Sequence, residues 1–262
     1  MPLMHAYAPG TFCWADLGTS DASDARRFYT ALFGWAADDR RAGPDTTYTM
    51  LLRDGESVAA LYAQEPGLAG SPPHWLSYVS VASAADAAQR ARELGGSVMV
   101  EPFDVLDVGR MAILGDPAGA VFALWEPRRH AGATVVGEPD TMCWNELVTP
   151  RPDLAQCFYG GLFGWAVGNE EAAVHATFVG NGEPRAGMRT AHPPSGTSAA
   201  RWLVYFCVRD CDGQTALVQS LGGRVRVPPS DRAGVGRVAV VDDPQGATFA
   251  VLARPAGAPW VG

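Results

Sequence analysis

Two acidic residues stand beside tryptophans at matching places in the sequence. Asp16 follows Trp14 by two positions, and Glu146 follows Trp144 in the same way. Both pairs lie in short stretches typical of β-strands, in which residues two apart share a face. A carboxyl group beside an indole in a partly dry cavity has a raised pKa and can act as a general acid or base near neutral pH. The alternative is a structural role, since many buried carboxylates only accept hydrogen bonds from backbone or arginine donors.

Two further stretches, HWLSYVSV at 74–81 and RWLVYFCV at 201–208, carry side chains suited to ligand binding. Their tyrosines can donate a hydrogen bond to a ligand oxygen, and Arg201 can clamp a carboxylate or an enolate. Strand alternation places these groups on one face of each strand. The residues expected to contact ligand are Trp14, Leu76, Tyr78, Trp144, Arg201, Leu203 and Tyr205.

The composition excludes several kinds of chemistry. All twenty basic residues are arginine and lysine is absent. Schiff-base catalysis, a pyridoxal-phosphate lysine and a Walker lysine are therefore excluded, because each requires a primary amine. The net charge of -8 and the pI near 5.1 disfavour nucleic acid and anionic membranes as partners, since both attract clustered positive charge.

Signals for membrane insertion, secretion and disulfide formation are missing from the sequence. No stretch approaches the roughly 20 apolar residues of a membrane helix, and no basic segment precedes an apolar one at the N-terminus. The five cysteines form no C-x-x-C pair. We therefore expect a cytoplasmic protein with free thiols. Alternation places Cys13 and Cys143 on the faces opposite their neighbouring tryptophans, which disfavours a cysteine nucleophile.

The chain is an internal repeat. CWADLGTSDASDARRFYTALFGWA at 13–36 matches CWNELVTPRPDLAQCFYGGLFGWA at 143–166, and GRMAILGDPAGAVFAL at 109–124 matches GRVAVVDDPQGATFAV at 236–251. Between the copies runs a stretch rich in Pro and Gly. We therefore predict one domain over 1–128, a linker over 129–139 and a second domain over 140–262.

The elements that must position the acids repeat as well. In each copy, a strand, an amphipathic helix and a hairpin are followed by a second strand, a helix that ends at a Gly pair, and further strands. This pattern predicts an α+β fold of four βαβββ modules. A sheet covered by helices on one face leaves the other face bare, so the modules should pair and curve around a cup that holds a ligand.

Repeated charged residues outside the two predicted strands have structural interpretations. Arg110 and Arg237 begin a strand in each copy, and we expect them to form structural ion pairs with the two acids or with the hairpin aspartates. Asp116 and Asp243 precede Pro and are expected to shape the last hairpin turn.

These motifs resemble the vicinal oxygen chelate superfamily, which includes glyoxalases, bleomycin-resistance proteins and extradiol dioxygenases. The resemblance rests on the FY-x-x-LFGW helix, the LGG helix end and the DPxGxxFxL hairpin of each copy. The W-x-[DE]-L-x-T start is similar to two-domain actinobacterial glyoxalase-like proteins labelled hydroxylases. The resemblance implies two tandem glyoxalase-like domains but specifies no reaction, because this scaffold hosts diverse chemistry.

The resemblance also implies a divalent metal on the floor of each cup. The corresponding positions hold Trp, Leu and Ala in both copies, and none of these is a metal ligand. They are Trp14, Leu76, Ala123, Trp144, Leu203 and Ala250. We therefore expect neither a metal nor another cofactor.

Together these observations predict a protein whose cups bind a small aromatic or oxygenated molecule. If it is an enzyme, Asp16 and Glu146 would move protons in an isomerisation, lyase, cyclisation or cofactor-free hydroxylation step. Two alternatives stay open: a drug-binding resistance protein without turnover, and a metal-dependent glyoxalase or dioxygenase. The expected assembly is a monomer, in effect a pseudo-dimer, or a homodimer.

Overall fold

The computed structural model describes residues 3–43, 46–64, 72–168, 175–191 and 200–254. The first copy contains β1 (Phe12–Thr19), α1 (Ala22–Phe33), β2 (Ala36–Arg41), β3 (Thr47–Arg53), β4 (Glu56–Ala63), β5 (His74–Ser80), α2 (Ala84–Glu93), β6 (Ser97–Val105), β7 (Gly109–Gly115) and β8 (Val121–Pro127). The second contains β9 (Met142–Thr149), α3 (Pro152–Phe163), β10 (Ala166–Val167), β11 (His175–Gly180), β12 (Glu183–Thr190), β13 (Arg201–Cys207), α4 (Cys211–Ser220), β14 (Arg224–Arg232), β15 (Gly236–Asp242) and β16 (Thr248–Ala253). This order gives the four predicted βαβββ modules.

Each copy builds its own mixed sheet of eight strands. Sheet 1 has the order β2-β3-β4-β1-β5-β8-β7-β6, and sheet 2 repeats it with β10-β11-β12-β9-β13-β16-β15-β14. At the centre of sheet 1, β1 pairs in parallel with β4 and antiparallel with β5. The two modules of one copy therefore share one open sheet. The predicted α+β fold of two tandem domains is confirmed.

The local sequence explains where the first helix begins and ends. The side chain of Asp21 accepts the backbone N–H of Asp24 at the start of α1, as a helix cap does. The helix ends at Gly34, whose φ of 69° lies in the left-handed region that favours glycine. Between these ends, Phe28 and Tyr29 face inward and are buried.

The helices lie between the two sheets and pack across the copies. One apolar cluster joins α1 with α4, and a second joins α2 with α3. Tyr29 donates a hydrogen bond to Asp243 Oδ2 of the other copy at 3.0 Å, and accepts one from Trp75 Nε1 at 2.9 Å. The second copy repeats this arrangement, in which Tyr159 donates to Asp116 at 3.2 Å and Trp202 donates to Tyr159.

Asp116 and Asp243 shape their turns as predicted and also join the copies. Asp116 Oδ1 accepts the backbone N–H groups of Ala118 and Ala120, while its other oxygen accepts the tyrosine of the opposite copy. We name the crossed Tyr29–Asp243 and Tyr159–Asp116 hydrogen bonds the inter-copy lock.

Part of the predicted linker packs against sheet 1. Ala133 N–H donates to the carbonyl of Cys13 at 2.8 Å, and Thr134 N–H donates to that of Ser57 at the same distance. Gly132 has a φ of 132°, and a Cβ atom there would lie 2.3 Å from the Cys13 oxygen. The linker therefore fills the gap between the starts of β1 and β4, and only glycine fits at its closest approach.

The matching gap of sheet 2 is a cavity of about 320 Å³. Its walls include Cys143, Trp144 and Pro184 on the sheet side and Tyr7 on the N-terminal segment.

None of the helices in the described ranges has the length and apolar character of a membrane-spanning helix.

Candidate functional site

The face of each sheet opposite the helices forms a cup. In sheet 1, Trp14 lies beside Tyr78 and Asp16 beside Leu76 across the antiparallel β1–β5 pair. All four side chains are buried. The structure thus brings together the residues that the sequence predicted for this face, which we call cup 1.

Asp16 lies at the floor of cup 1 and is only 2% exposed. Its Oδ2 atom accepts hydrogen bonds from the hydroxyls of Tyr78 at 2.7 Å and Tyr48 at 3.0 Å. Trp14 Nε1 donates to the Tyr48 hydroxyl at 2.9 Å, which orients that hydroxyl towards Asp16. The Oδ1 atom is buried and has no hydrogen-bond partner among the described residues.

Burial is the main cause of the shifted pKa values of Asp16, Tyr48 and Tyr78. Loss of water raises the pKa of Asp16 to about 7, although the hydrogen bonds from Tyr78 and Tyr48 act in the opposite direction. Burial and the nearby Asp16 raise the pKa of both tyrosines above the usual range, so the tyrosines keep their protons and act as donors. Asp16 can therefore hold or release a proton near neutral pH.

Aromatic side chains surround Asp16, and three of them, Tyr48, Trp125 and His130, were not predicted for the site. Tyr48 comes from β3, and His130 comes from the predicted linker. The His130 ring meets Trp14 edge-on, with 4.7 Å between centroids, and lies 5.9 Å from Trp125. Burial, together with the charge of Arg40, lowers the pKa of His130 to about 4, so its imidazole is neutral at physiological pH.

Cup 2, on sheet 2, keeps the acid–tyrosine pair but surrounds it with arginine. Glu146 lies beside Leu203, and Trp144 beside Tyr205, in the same register as in cup 1. Tyr205 donates to Glu146 Oε2 at 2.8 Å. Arg189 Nε lies 3.3 Å from the same oxygen, and Arg232 Nη1 lies 3.4 Å from Oε1.

The predicted ligand contact Arg201 lies on the same strand face as Leu203 and Tyr205. Leu203 and Tyr205 are buried, whereas Arg201 is exposed at the start of β13. Arg201 is close enough to Arg189 and Glu146 to interact with them electrostatically. Arg189 and Arg232 belong to the same site but carry no repeat signal, because the first copy has Tyr62 and Val105 at these places.

The positions that the resemblance assigns to metal ligands face the cups and carry no suitable donors. Their side chains are indole, leucine and alanine, and divalent metals require N, O or S ligands. The six positions belong to the cup clusters as Trp14, Leu76, Ala123, Trp144, Leu203 and Ala250. The described residues also contain no group of three or more His, Cys, Asp or Glu side chains that could hold a metal. The donor set does not fit the implied metal.

Arg110 and Arg237 form structural ion pairs, as expected, and of the two expected sets of partners the structure shows hairpin aspartates. Neither Arg110 nor Arg237 pairs with the cup acids, because Arg110 reaches Asp104 on β6 and Arg237 reaches Asp212 and Asp231. Asp104 and Asp231 lie on the edge strands β6 and β14, and Asp212 lies in the first turn of α4.

The prediction that Cys13 and Cys143 point away from the cups was wrong. A register shift between Phe12 and Trp14 interrupts the alternation of β1, and Cys13 joins the buried cluster of cup 1. Cys143 packs against the cup 2 cluster. Burial raises the pKa of the Cys13 thiol well above its usual range, so this thiol stays protonated.

Family models match both copies. Residues 11–124 match the Glyoxalase/Bleomycin resistance protein/Dioxygenase superfamily, and residues 141–252 match the Glyoxalase-like domain. The chain belongs to this superfamily, as the resemblance predicted.

Relatives match over nearly the whole length. The putative glyoxylase CFP32 of Mycobacterium tuberculosis is 41% identical and covers 98% of this chain and 99% of its own. The anthracycline biosynthesis protein DnrV of Streptomyces peucetius is 36% identical and covers 98% of both chains.

Solved structures share the fold at low identity. The Mn(II)-bound glyoxalase of Novosphingobium aromaticivorans has a TM-score of 0.64 at 15% identity, covering 94% of this chain and 82% of its own. The 2,3-dioxygenase LapB of Pseudomonas sp. KL28 has the same TM-score at 11% identity, covering 93% and 91%. At these identities the likeness concerns the fold alone.

Proposed function

We propose that cup 1 binds a small aromatic or oxygenated molecule and that Asp16 transfers a proton to or from it without a metal. The observation that carries this proposal is the free oxygen of Asp16. A buried polar atom without a partner is costly and calls for an explanation. We place the polar group of the ligand at Oδ1.

The hydrogen bonds of Asp16 favour one position for its proton. Oδ2 already accepts two tyrosine hydroxyls, so a proton on the carboxyl group belongs on Oδ1. The neutral acid can then donate from Oδ1, and the ionised acid can accept there. With a pKa of about 7, both forms are populated near neutral pH, as a general acid or base requires.

The walls of cup 1 suit an aromatic ligand. Trp14 and Trp125 offer ring faces and edges, and Leu76 adds an apolar surface. Relatives named anthracycline biosynthesis proteins support an aromatic, oxygen-bearing ligand. Isomerisation, lyase, cyclisation and cofactor-free hydroxylation all share one step, in which a proton is removed or delivered next to a carbonyl or phenol oxygen.

Glu146 is the second predicted proton-transfer residue, and its surroundings favour a different role. Two arginines and a tyrosine hydroxyl contact its oxygens. Its oxygens are thus already engaged by guanidinium and hydroxyl donors and are less available to a ligand than the Oδ1 atom of Asp16. We therefore place the proton transfer at Asp16.

Anthrone provides a test, because it is an aromatic ketone whose methylene protons are acidic. In D2O and without oxygen, the wild-type protein should bind anthrone and accelerate the loss of its methylene signal in NMR spectra. Asp16→Asn should bind anthrone but lose the acceleration, whereas Asp38→Asn, at an exposed residue of β2, should keep it. Equal exchange rates for wild type and Asp16→Asn would refute the proposal.

Sequestration without turnover is the second candidate, and the apolar, aromatic walls of cup 1 favour it. The same assay separates the two functions. A sequestering protein would quench its tryptophan fluorescence on binding anthrone and would leave the exchange rate of the bound ligand at or below that of free anthrone.

A further inference from the structure

We propose that cup 2 is a separate binding site for an organic carboxylate, held by Arg201 with Arg189 and Arg232. The proposal does not depend on proton transfer by Asp16 in cup 1. It rests on how charge is distributed over the cup face of sheet 2.

Among the described residues of this face, arginines outnumber carboxylates. Arg189 and Arg232 share Glu146, while Arg224 and Arg226 share Asp242 near the edge of the sheet. These described side chains therefore give the face a surplus of positive charge.

Arg201 joins the two groups into one patch. It lies close enough to Arg189, Arg226, Glu146 and Asp242 to interact with all four electrostatically. Within the described parts of the chain it makes no hydrogen bond or ion pair of its own. Arg201 adds a further positive charge and has a guanidinium fork available for a ligand.

The positive patch is specific to cup 2 and is not shared by the equivalent positions of the first copy. At the places of Arg189, Arg201 and Arg232, the first copy has Tyr62, His74 and Val105. Cup 1 thus keeps the same strands and the same acid–tyrosine pair without a cationic surround. The arginines are a specific property of the second copy.

The chemistry of the surroundings selects the class of ligand. A guanidinium group binds a carboxylate through two parallel hydrogen bonds, and partial burial strengthens such contacts. Arg189 and Arg232 are about three-quarters buried, with 26% and 24% of their side chains exposed. Apolar side chains lie on the same face, including Trp144, Val238 and Leu252. A carboxylate carried on an apolar or aromatic body matches both features.

Calorimetric titration with naphthoate and with the neutral naphthamide tests the proposal. Wild type should bind naphthoate at least about tenfold more tightly than naphthamide, and Arg201→Gln should weaken naphthoate binding by about tenfold. Arg201→Lys keeps the charge without the fork and should recover part of the affinity. Arg237→Gln is the matched control, since this arginine of the same copy already pairs with Asp212 and Asp231 at the surface.

Three results would overturn the proposal. They are equal affinity for naphthoate and naphthamide, unchanged affinity in Arg201→Gln, and full displacement of naphthoate by inorganic phosphate at equal concentration. Thermal unfolding of each variant reports whether the fold is intact. Anthrone exchange in Asp16→Asn tests the cup 1 proposal and naphthoate binding in Arg201→Gln tests the cup 2 proposal, so a failure at one cup would be seen separately from a failure at the other.

Discussion

Cup 1 and cup 2 place an acid and a tyrosine in the same geometry and give the acid opposite surroundings. The tyrosine–carboxylate distances are 2.7 Å for Tyr78 and Asp16 and 2.8 Å for Tyr205 and Glu146. In cup 1, another tyrosine also contacts the acid, whereas arginines do so in cup 2. The shared strands determine where the acid lies. The residues on neighbouring strands determine whether further hydroxyls or guanidinium groups contact it.

The largest effect should come from removing the cup 1 acid. We expect Asp16→Asn to slow anthrone exchange by about 100-fold or more, as loss of a general acid or base does. Glu146→Gln should change the rate by less than about threefold, because the cup 2 acid is held by arginines. NMR exchange rates measure both. A larger loss in Glu146→Gln would reverse the comparison of the cups.

The pH dependence of stability should differ between wild type and Asp16→Asn. The pKa of Asp16 is higher in the folded protein than in the unfolded chain, so the folded state binds more protons between about pH 4 and pH 7. The stabilisation is present at low pH and is lost as the pH rises through about 7.

Denaturant unfolding at pH 5 and pH 8 measures this difference. Wild type should lose about 2 kcal/mol more than Asp16→Asn between the two values. Asp38→Asn is the surface control and should follow wild type. Parallel curves for wild type and Asp16→Asn would show that Asp16 has an ordinary pKa.

The gaps beside the two cups also differ, and Gly132 tests this difference. Gly132→Ala would force a Cβ atom against the Cys13 carbonyl at a positive φ and should cost about 2 kcal/mol. Gly119→Ala also has a positive φ but open space around the new Cβ, so it should cost about 1 kcal/mol. Thermal unfolding compares the two. Equal losses would show that the linker does not pack tightly in the gap of sheet 1.

The smallest expected effect tests the symmetry of the inter-copy lock. Tyr29→Phe and Tyr159→Phe each remove one hydrogen bond to the opposite copy and the acceptor of a tryptophan N–H. Each should lower the free energy of unfolding by about 1 to 2 kcal/mol. Unequal losses in denaturant unfolding would indicate that the two halves of the core are not equivalent.

Much of the fold was predictable because it depends on repeats and on local periodicity. The helix of each module has apolar residues at helical spacing and a glycine at its end. Strand β2 was not recognised individually, since its sequence AADDRR is mostly exposed and shows no apolar alternation. This strand forms by pairing with β3, and a pairing partner cannot be inferred from six residues without apolar alternation.

The candidate site was predicted where alternation along one strand was sufficient. Trp14 and Asp16 share a face of β1, and the register brings Leu76 and Tyr78 to them. Tyr48 and His130 reach the same place from β3 and the linker, so only the tertiary structure reveals them. For Cys13, the alternation of side chains along β1 predicted the wrong face, because the register shift beside this residue is not visible in the sequence.

The inter-copy lock also bears on how the two cups can differ. Each buried tyrosine and each buried turn aspartate of the lock finds its partner on the other copy. A single copy would need a second, identical chain to satisfy both groups in the same way, and every substitution would then change both cups at once. With two copies in one chain, each cup can change alone. The second copy has arginines at 189, 201 and 232, where the first has tyrosine, histidine and valine.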